Sequence, residues 1–192
     1  MLVAVSFVLT TKTTQAQAWE KKSVVLGIGL GVSSFYHIDP DYNAYHGFGG
    51  SRGRGFAYAP LTGQFNLQME FGVHQYVGLG FCTGVGGRAG YYYSDGELNA
   101  PISFIGNFHF YQLIADKTGK NIHADKLDIY GGFSLGTGIA IQFDNNRNNR
   151  IVPLIYGGPH LGVRYYFTPK FGINGEVGFG KSLINGGLVF KL

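Results

Sequence analysis

The chain has 192 residues, of which 32 are glycine, and a formal net charge of +4; average usage would give about 13 glycines. Aromatic residues make up 16% and charged residues only 14%, against roughly 25% charged in soluble domains. With six prolines, one cysteine and no Gly-X-Y period, the composition excludes a collagen-like chain, a disordered linker, a disulfide scaffold and a helical protein. The basic residues are scattered, without the aromatic interleaving of a nucleic-acid binder, so no nucleic acid is expected as a partner.

Leu2–Leu9 is a short apolar run. A polar stretch and Ala16-Gln17-Ala18 follow, which reads as a secretory signal over residues 1–18 and a mature domain over 19–192. No Lys or Arg precedes the run. Beyond it there is no apolar stretch of the ~18 residues that a membrane helix needs. An exported chain of this kind enters a membrane only as a closed barrel.

The repeating signal is period-two alternation. It predicts strands over 24–33, 65–74, 77–86, 102–110, 127–143, 160–167, 171–180 and 184–192. One face carries Leu, Ile, Val and Phe. The other is mostly Gly, Ser, Asn and His, with Glu70, Asp128, Arg164, Glu176 and Lys191 as its charges. A soluble barrel must present Lys- and Glu-rich strands to water, and this second face is too bare for that. It suits a narrow lumen, and the bulky apolar face suits lipid. Aromatics near the strand ends, such as Phe110, Tyr165 and Phe167, fit interfacial girdles. Pro159 interrupts the sixth strand, so a bulge there, or pairing that begins just after it, is expected. Short turns at 74–75 and 168–170 alternate with long connections at 35–63, 87–101 and 144–154, and the connection 111–126 is longer than a turn. The expected fold is an all-β, eight-stranded antiparallel up-and-down transmembrane barrel in the outer membrane of a Gram-negative envelope.

The segment 157–192 carries Gly162-Val163-Arg164-Tyr165-Tyr166-Phe167, a tight turn, Gly175-Glu176-Val177-Gly178-Phe179-Gly180 and a final strand with Phe190-Lys191. It resembles the C-terminal end of the small outer-membrane β-barrel family common in Bacteroidetes, with OmpA/OmpX-like eight-stranded barrels. Pro101–Phe110 and Lys126–Gly136 are similar to its central strands. The resemblance implies fold and location, and little about activity.

The candidate chemistry is internal. Glu70, Arg164 and Glu176 fall at similar depth when counted from the adjacent turns, at roughly 3.3 Å per residue. A buried arginine needs partners, so an ion-pair network is predicted with Arg164 between Glu70 and Glu176, joined by Asp128 and Lys191. Eight strands leave an interior that side chains fill, which predicts a plugged lumen. His109 and His160 point inward, too few ligands for a metal site. Asp39–Gly50 starts like a calcium loop but has Ala44 and Gly50 where Gly and Glu belong. Gly84–Ala89 matches a dinucleotide fingerprint without the following helix. Cys82 reads as lumen filler. His37, Asp39 and Asp41 are the one cluster that suggests a hydrolase acting on lipid A or peptides.

Arg52, Arg54, Arg88, Arg147 and Arg150 fall in outer loops, where guanidinium groups suit phosphorylated glycolipid. The expectation is therefore a non-enzymatic, porin-like envelope protein without cofactor or metal. Its partners would be outer-membrane lipid, lipopolysaccharide and the barrel-assembly machinery, and it would be a monomer with a structural or surface-binding role. A barrel enzyme or a narrow channel is the alternative.

Overall fold

The structure is a computed structural model. It describes residues 17–33, 36–39, 55–58, 62–88, 96–119, 122–143 and 149–192. For 33, 36–39, 55–58 and 88 it describes the backbone alone. The elements in chain order are β1 (Val24–Ser33), β2 (Tyr36–Asp39), β3 (Gly55–Tyr58), β4 (Thr62–His74), β5 (Val77–Arg88), β6 (Gly96–Phe108), α1 (Phe110–Thr118), β7 (Leu127–Phe143), β8 (Arg150–Tyr166), β9 (Phe171–Gly178) and β10 (Ile184–Lys191).

Eight of these strands close into an antiparallel ring. β1 pairs β4, and β4 to β8 follow in order. β8 pairs β9, β9 pairs β10, and β10 returns to β1. Closure gives every strand of the ring a neighbour on both sides, although β8 extends beyond its ladder with β9, which ends at His160. β2 and β3 form a hairpin outside it, which leans on β8 through Tyr36↔Ile155 and His37↔Leu154. This hairpin falls inside the stretch read from sequence as one long connection.

The alternation explains the closure. In β4 every second residue from Thr62 to Gly72 is buried and the residues between are exposed. The buried set is Thr62, Gln64, Asn66, Gln68 and Glu70; the exposed set includes Phe65, Leu67, Met69 and Phe71. The same inversion holds around the ring, where Phe81, Phe104, Phe133, Leu135, Leu161 and Leu188 face out and Asn107, Ser134, His160 and Asn185 face in. A polar interior with an apolar exterior is the reverse of a water-soluble barrel. At one rim the rings of Tyr165, Phe167, Phe171 and Phe190 touch in sequence, at 5.6, 6.1 and 5.3 Å between centroids.

Pro159 has no bulge, and pairing with β9 begins just after it, at His160↔Gly178. The β7–β8 ladder runs unbroken past Phe133↔Pro159 to Gln142↔Arg150, with no bulge. The Phe179 amide donates to the Pro159 carbonyl at 2.9 Å. In an antiparallel strand the nitrogen and oxygen of one residue point the same way. The missing proline donor therefore faces β9, where the ladder ends at His160↔Gly178. The connection 111–126 holds helix α1, which lies beside the β4–β5 turn: Asp116 accepts from Gln75 Nε2 at 2.6 Å and from Tyr76 hydroxyl at 3.0 Å. This end also holds Trp19, the C-terminal Lys191 and the 167–170 turn. It is called the terminus end below, and the opposite rim the loop end.

Candidate functional site in the barrel lumen

The lumen is built from strands that stand two places apart in the ring. Asn66 Nδ2 on β4 donates to Asn185 Oδ1 on β10 at 3.1 Å, across Gly29 of β1. Asn99 Nδ2 on β6 donates to Thr62 Oγ1 on β4 at 3.3 Å, across Gly86 of β5. His160 Nε2 on β8 bonds Asn107 Oδ1 on β6 at 2.7 Å, across Gly132 of β7. The Tyr130 hydroxyl on β7 donates to Glu176 Oε2 on β9 at 3.0 Å, across Gly162 of β8. In each case the intervening strand must present no side chain. A Cβ on Gly162 would stand 2.6 Å from the Tyr130 ring carbon Cε2, and one on Gly132 would stand 2.6 Å from His160 Nε2. These four glycines are thus passages for short polar bridges.

At the terminus end the bridging groups are charged. Arg164 on β8 pairs with Glu70 on β4. These strands are four places apart in a ring of eight, so this pair spans the full bore. Asp128, the cross-strand neighbour of Arg164 on β7, accepts from its second arm at 3.3 Å. His109, just after β6, lies between the same two carboxylates: Nε2 is 3.1 Å from Glu70 and Nδ1 is 2.8 Å from Asp128. Ionised carboxylates only accept, so this geometry suits an imidazolium that donates from both nitrogens. Arg164 is 2% exposed and Glu70 and His109 are 0% exposed.

Two aromatic rings cover the cluster. The Arg164 guanidinium carbon lies 4.3 Å from the Tyr130 ring centroid. Trp19 stacks on His109 with centroids 3.6 Å apart and 7° between planes. Trp19 is itself fully buried, among Ala18, Val25, Tyr166 and Val189.

The predicted network is rearranged in two places. Arg164 sits between Glu70 and Asp128. Glu176 lies nearer the loop end and takes Lys181 at 3.1 Å with the Tyr130 hydroxyl; Lys181 also bonds Gln68. The reason is register: Glu176 stands opposite Gly162 on β8, two residues from Arg164. Lys191 takes no part in the cluster. Its ammonium bonds the Gln17 carbonyl at 2.7 Å and Glu20 at 3.0 Å at the rim. Sequence reasoning gave His109 its inward face without its partners. It missed Lys181, which follows a strand and has no parity to read, and Trp19, which adjoins the expected cleavage point.

The arginines expected in outer loops divide. Arg88 is the last residue of β5, opposite Glu97, and Arg150 is the first of β8, opposite Gln142. Both therefore belong to strand ends and not to free loops. Arg52, Arg54 and Arg147 lie outside the described residues, as do residues 1–16, Asp41 and the side chains of His37 and Asp39. Among the described residues no group of three or more His, Cys, Asp or Glu is placed to hold a metal ion.

No family model matches the sequence, and no curated protein does. Solved structures match in fold. The N-terminal β-barrel domain of Pseudomonas aeruginosa OprF overlays with a TM-score of 0.52 at 13% identity, over 90% of this chain and 98% of that one. Ail, the attachment invasion locus protein of Yersinia pestis, gives 0.43 at 13% identity, over 89% and 95% of the two chains. The outer membrane protein AlkL, solved in lipid bilayers, gives 0.44 at 12% identity, over 100% and 95%. At these identities the likeness bears on fold alone, and it rests on the OprF domain. The architecture is that of a small eight-stranded barrel.

Proposed function

We propose that the chain is an integral outer-membrane barrel with a plugged lumen, exported by a signal over residues 1–18 and without enzymatic activity. It would brace the envelope or present its loop end for binding. One observation carries this reading: an apolar exterior on all eight strands encloses a polar interior whose bore is spanned by the Arg164–Glu70 pair. Lipid outside satisfies the exterior, and water outside would not. The arginines expected in outer loops, Arg52, Arg54, Arg88, Arg147 and Arg150, suit contact with phosphorylated glycolipid.

Cell fractionation and electrophoresis test this. The chain should enter the outer-membrane fraction and migrate faster unheated than boiled in detergent. Recovery as a soluble periplasmic protein would overturn it. Replacing Arg88 and Arg150 with Gln should lower the lipopolysaccharide that copurifies; unchanged copurification would remove the glycolipid part of the proposal.

A further inference from the structure

In the mature chain that the signal reading gives, residues 19–23 form a strap at the terminus end, with Trp19 at its tip. Its outer bonds are few. The Lys22 amide donates to the Gly72 carbonyl and the Gly72 amide donates to the Ser23 carbonyl, both at 2.8 Å. Lys191 holds the Glu20 carboxylate at 3.0 Å. The Glu20 side chain is 44% exposed, so this latch is weak and screened by salt. The strap has one inward anchor, Trp19. The indole nitrogen has no hydrogen-bond partner, and the ring is held by stacking on His109 and by the small apolar cluster around it.

Position gives this ring its consequence. Trp19 lies between the rim and the Arg164–Glu70–Asp128–His109 cluster, with its centroid 5.9 Å from the Arg164 guanidinium carbon. Attraction among those charges depends on the exclusion of water, because a high dielectric weakens it severalfold. The ring packs on the cluster at this end, stacked on His109. Lifting it admits water to the charges, which loosens the pair that spans the bore.

We infer that the strap is a built-in stopper: Trp19 seals the terminus end of the lumen, the Lys191–Glu20 contact latches it, and release of the strap opens an ion path. The two closures, aromatic and ionic, are coupled, and the weaker outer one controls the inner one. This rests on the plugged-lumen reading and adds a conducting state to it.

The exported protein, extracted from membranes in detergent and placed in planar bilayers in potassium chloride, tests the inference. The wild-type barrel should be closed most of the time. Trp19→Ala should raise open-state occupancy by about tenfold or more, as loss of a stacked, fully buried ring implies. Trp19→Phe, which keeps a ring on His109, should lie between, and Lys191→Gln should raise occupancy less. Trp19 is the chain's single tryptophan, so its fluorescence reports the strap directly. Acrylamide should quench it weakly in the wild type and more strongly in Lys191→Gln.

A Trp19→Ala barrel that is folded by heat-modifiable migration and as silent as the wild type would overturn the stopper and leave the plugged lumen intact. If Trp19→Ala fails to fold, Lys191→Gln decides: unchanged quenching and unchanged opening would overturn the inference. A wild-type barrel that conducts as freely as Trp19→Ala would instead remove the plugged-lumen reading itself.

Discussion

The two halves of the lumen solve the same problem with different chemistry. Toward the loop end, beyond the Lys181–Glu176 pair, the bore is bridged by amides and hydroxyls, as in Asn66–Asn185 and Asn99–Thr62. Toward the terminus end it is bridged by carboxylates, a guanidinium and an imidazole, under two aromatic rings. Neutral bridges stabilise modestly and leave little behind when removed. Buried charges cost several kcal/mol each to desolvate and must be paired completely. The difference teaches where rigidity is needed: the charged half also carries the side chains that meet across the full diameter, while the neutral bridges reach only the second strand along.

Breaking the charged half should therefore have the largest effect. Arg164→Met leaves Glu70 and Asp128 buried with only His109 between them and should cost about 3–5 kcal/mol, read as a lower urea midpoint for the detergent-folded barrel. A loss no greater than that of a neutral bridge would erase the contrast. Next is the passage between the halves. Gly162→Val pushes against the Tyr130 ring and should cost about 1–3 kcal/mol by overpacking. Gly175→Ala is the control: an added Cβ there meets only Val163 Cγ1 at 3.9 Å, so the temperature of the gel shift should not move.

In the neutral half, Asn185→Ala removes the partner of Asn66 and should cost about 1 kcal/mol, measured by the same urea titration. Smallest is Lys191→Gln. Its half-exposed contact is worth under about 1 kcal/mol, so stability should barely change even though Trp19 becomes easier to quench. A large drop in stability would mean that the strap belongs to the core of the fold.

The fold was legible because alternation is a direct property of a two-faced strand. Phe65, Leu67 and Met69 against Asn66, Gln68 and Glu70 declare their faces without help from the rest of the chain. Depth was less legible. Counting from turns placed Glu176 level with Arg164, but register sets Glu176 opposite Gly162 and brings Asp128 opposite Arg164. Cross-strand register is a relation between distant segments and leaves no local mark. Trp19 and Lys181 were out of reach for a different reason: both lie off the regular strands, where a side chain's direction follows from tertiary contacts alone. Pro159 looked like an interruption because the sequence does not tell which side of a strand has lost its neighbour.

The glycine passages have a consequence for assembly. A strand that slips by one residue turns its apolar face inward and is rejected at once. A slip of two residues keeps every face correct, and hydropathy cannot detect it. Here it would set Tyr130 against His160 or Arg164 instead of Gly162, and Asn107 against Ser134 or Tyr130 instead of Gly132. The alternation acts as the coarse scale and the glycines as the vernier, so that the barrel closes only when both scales agree.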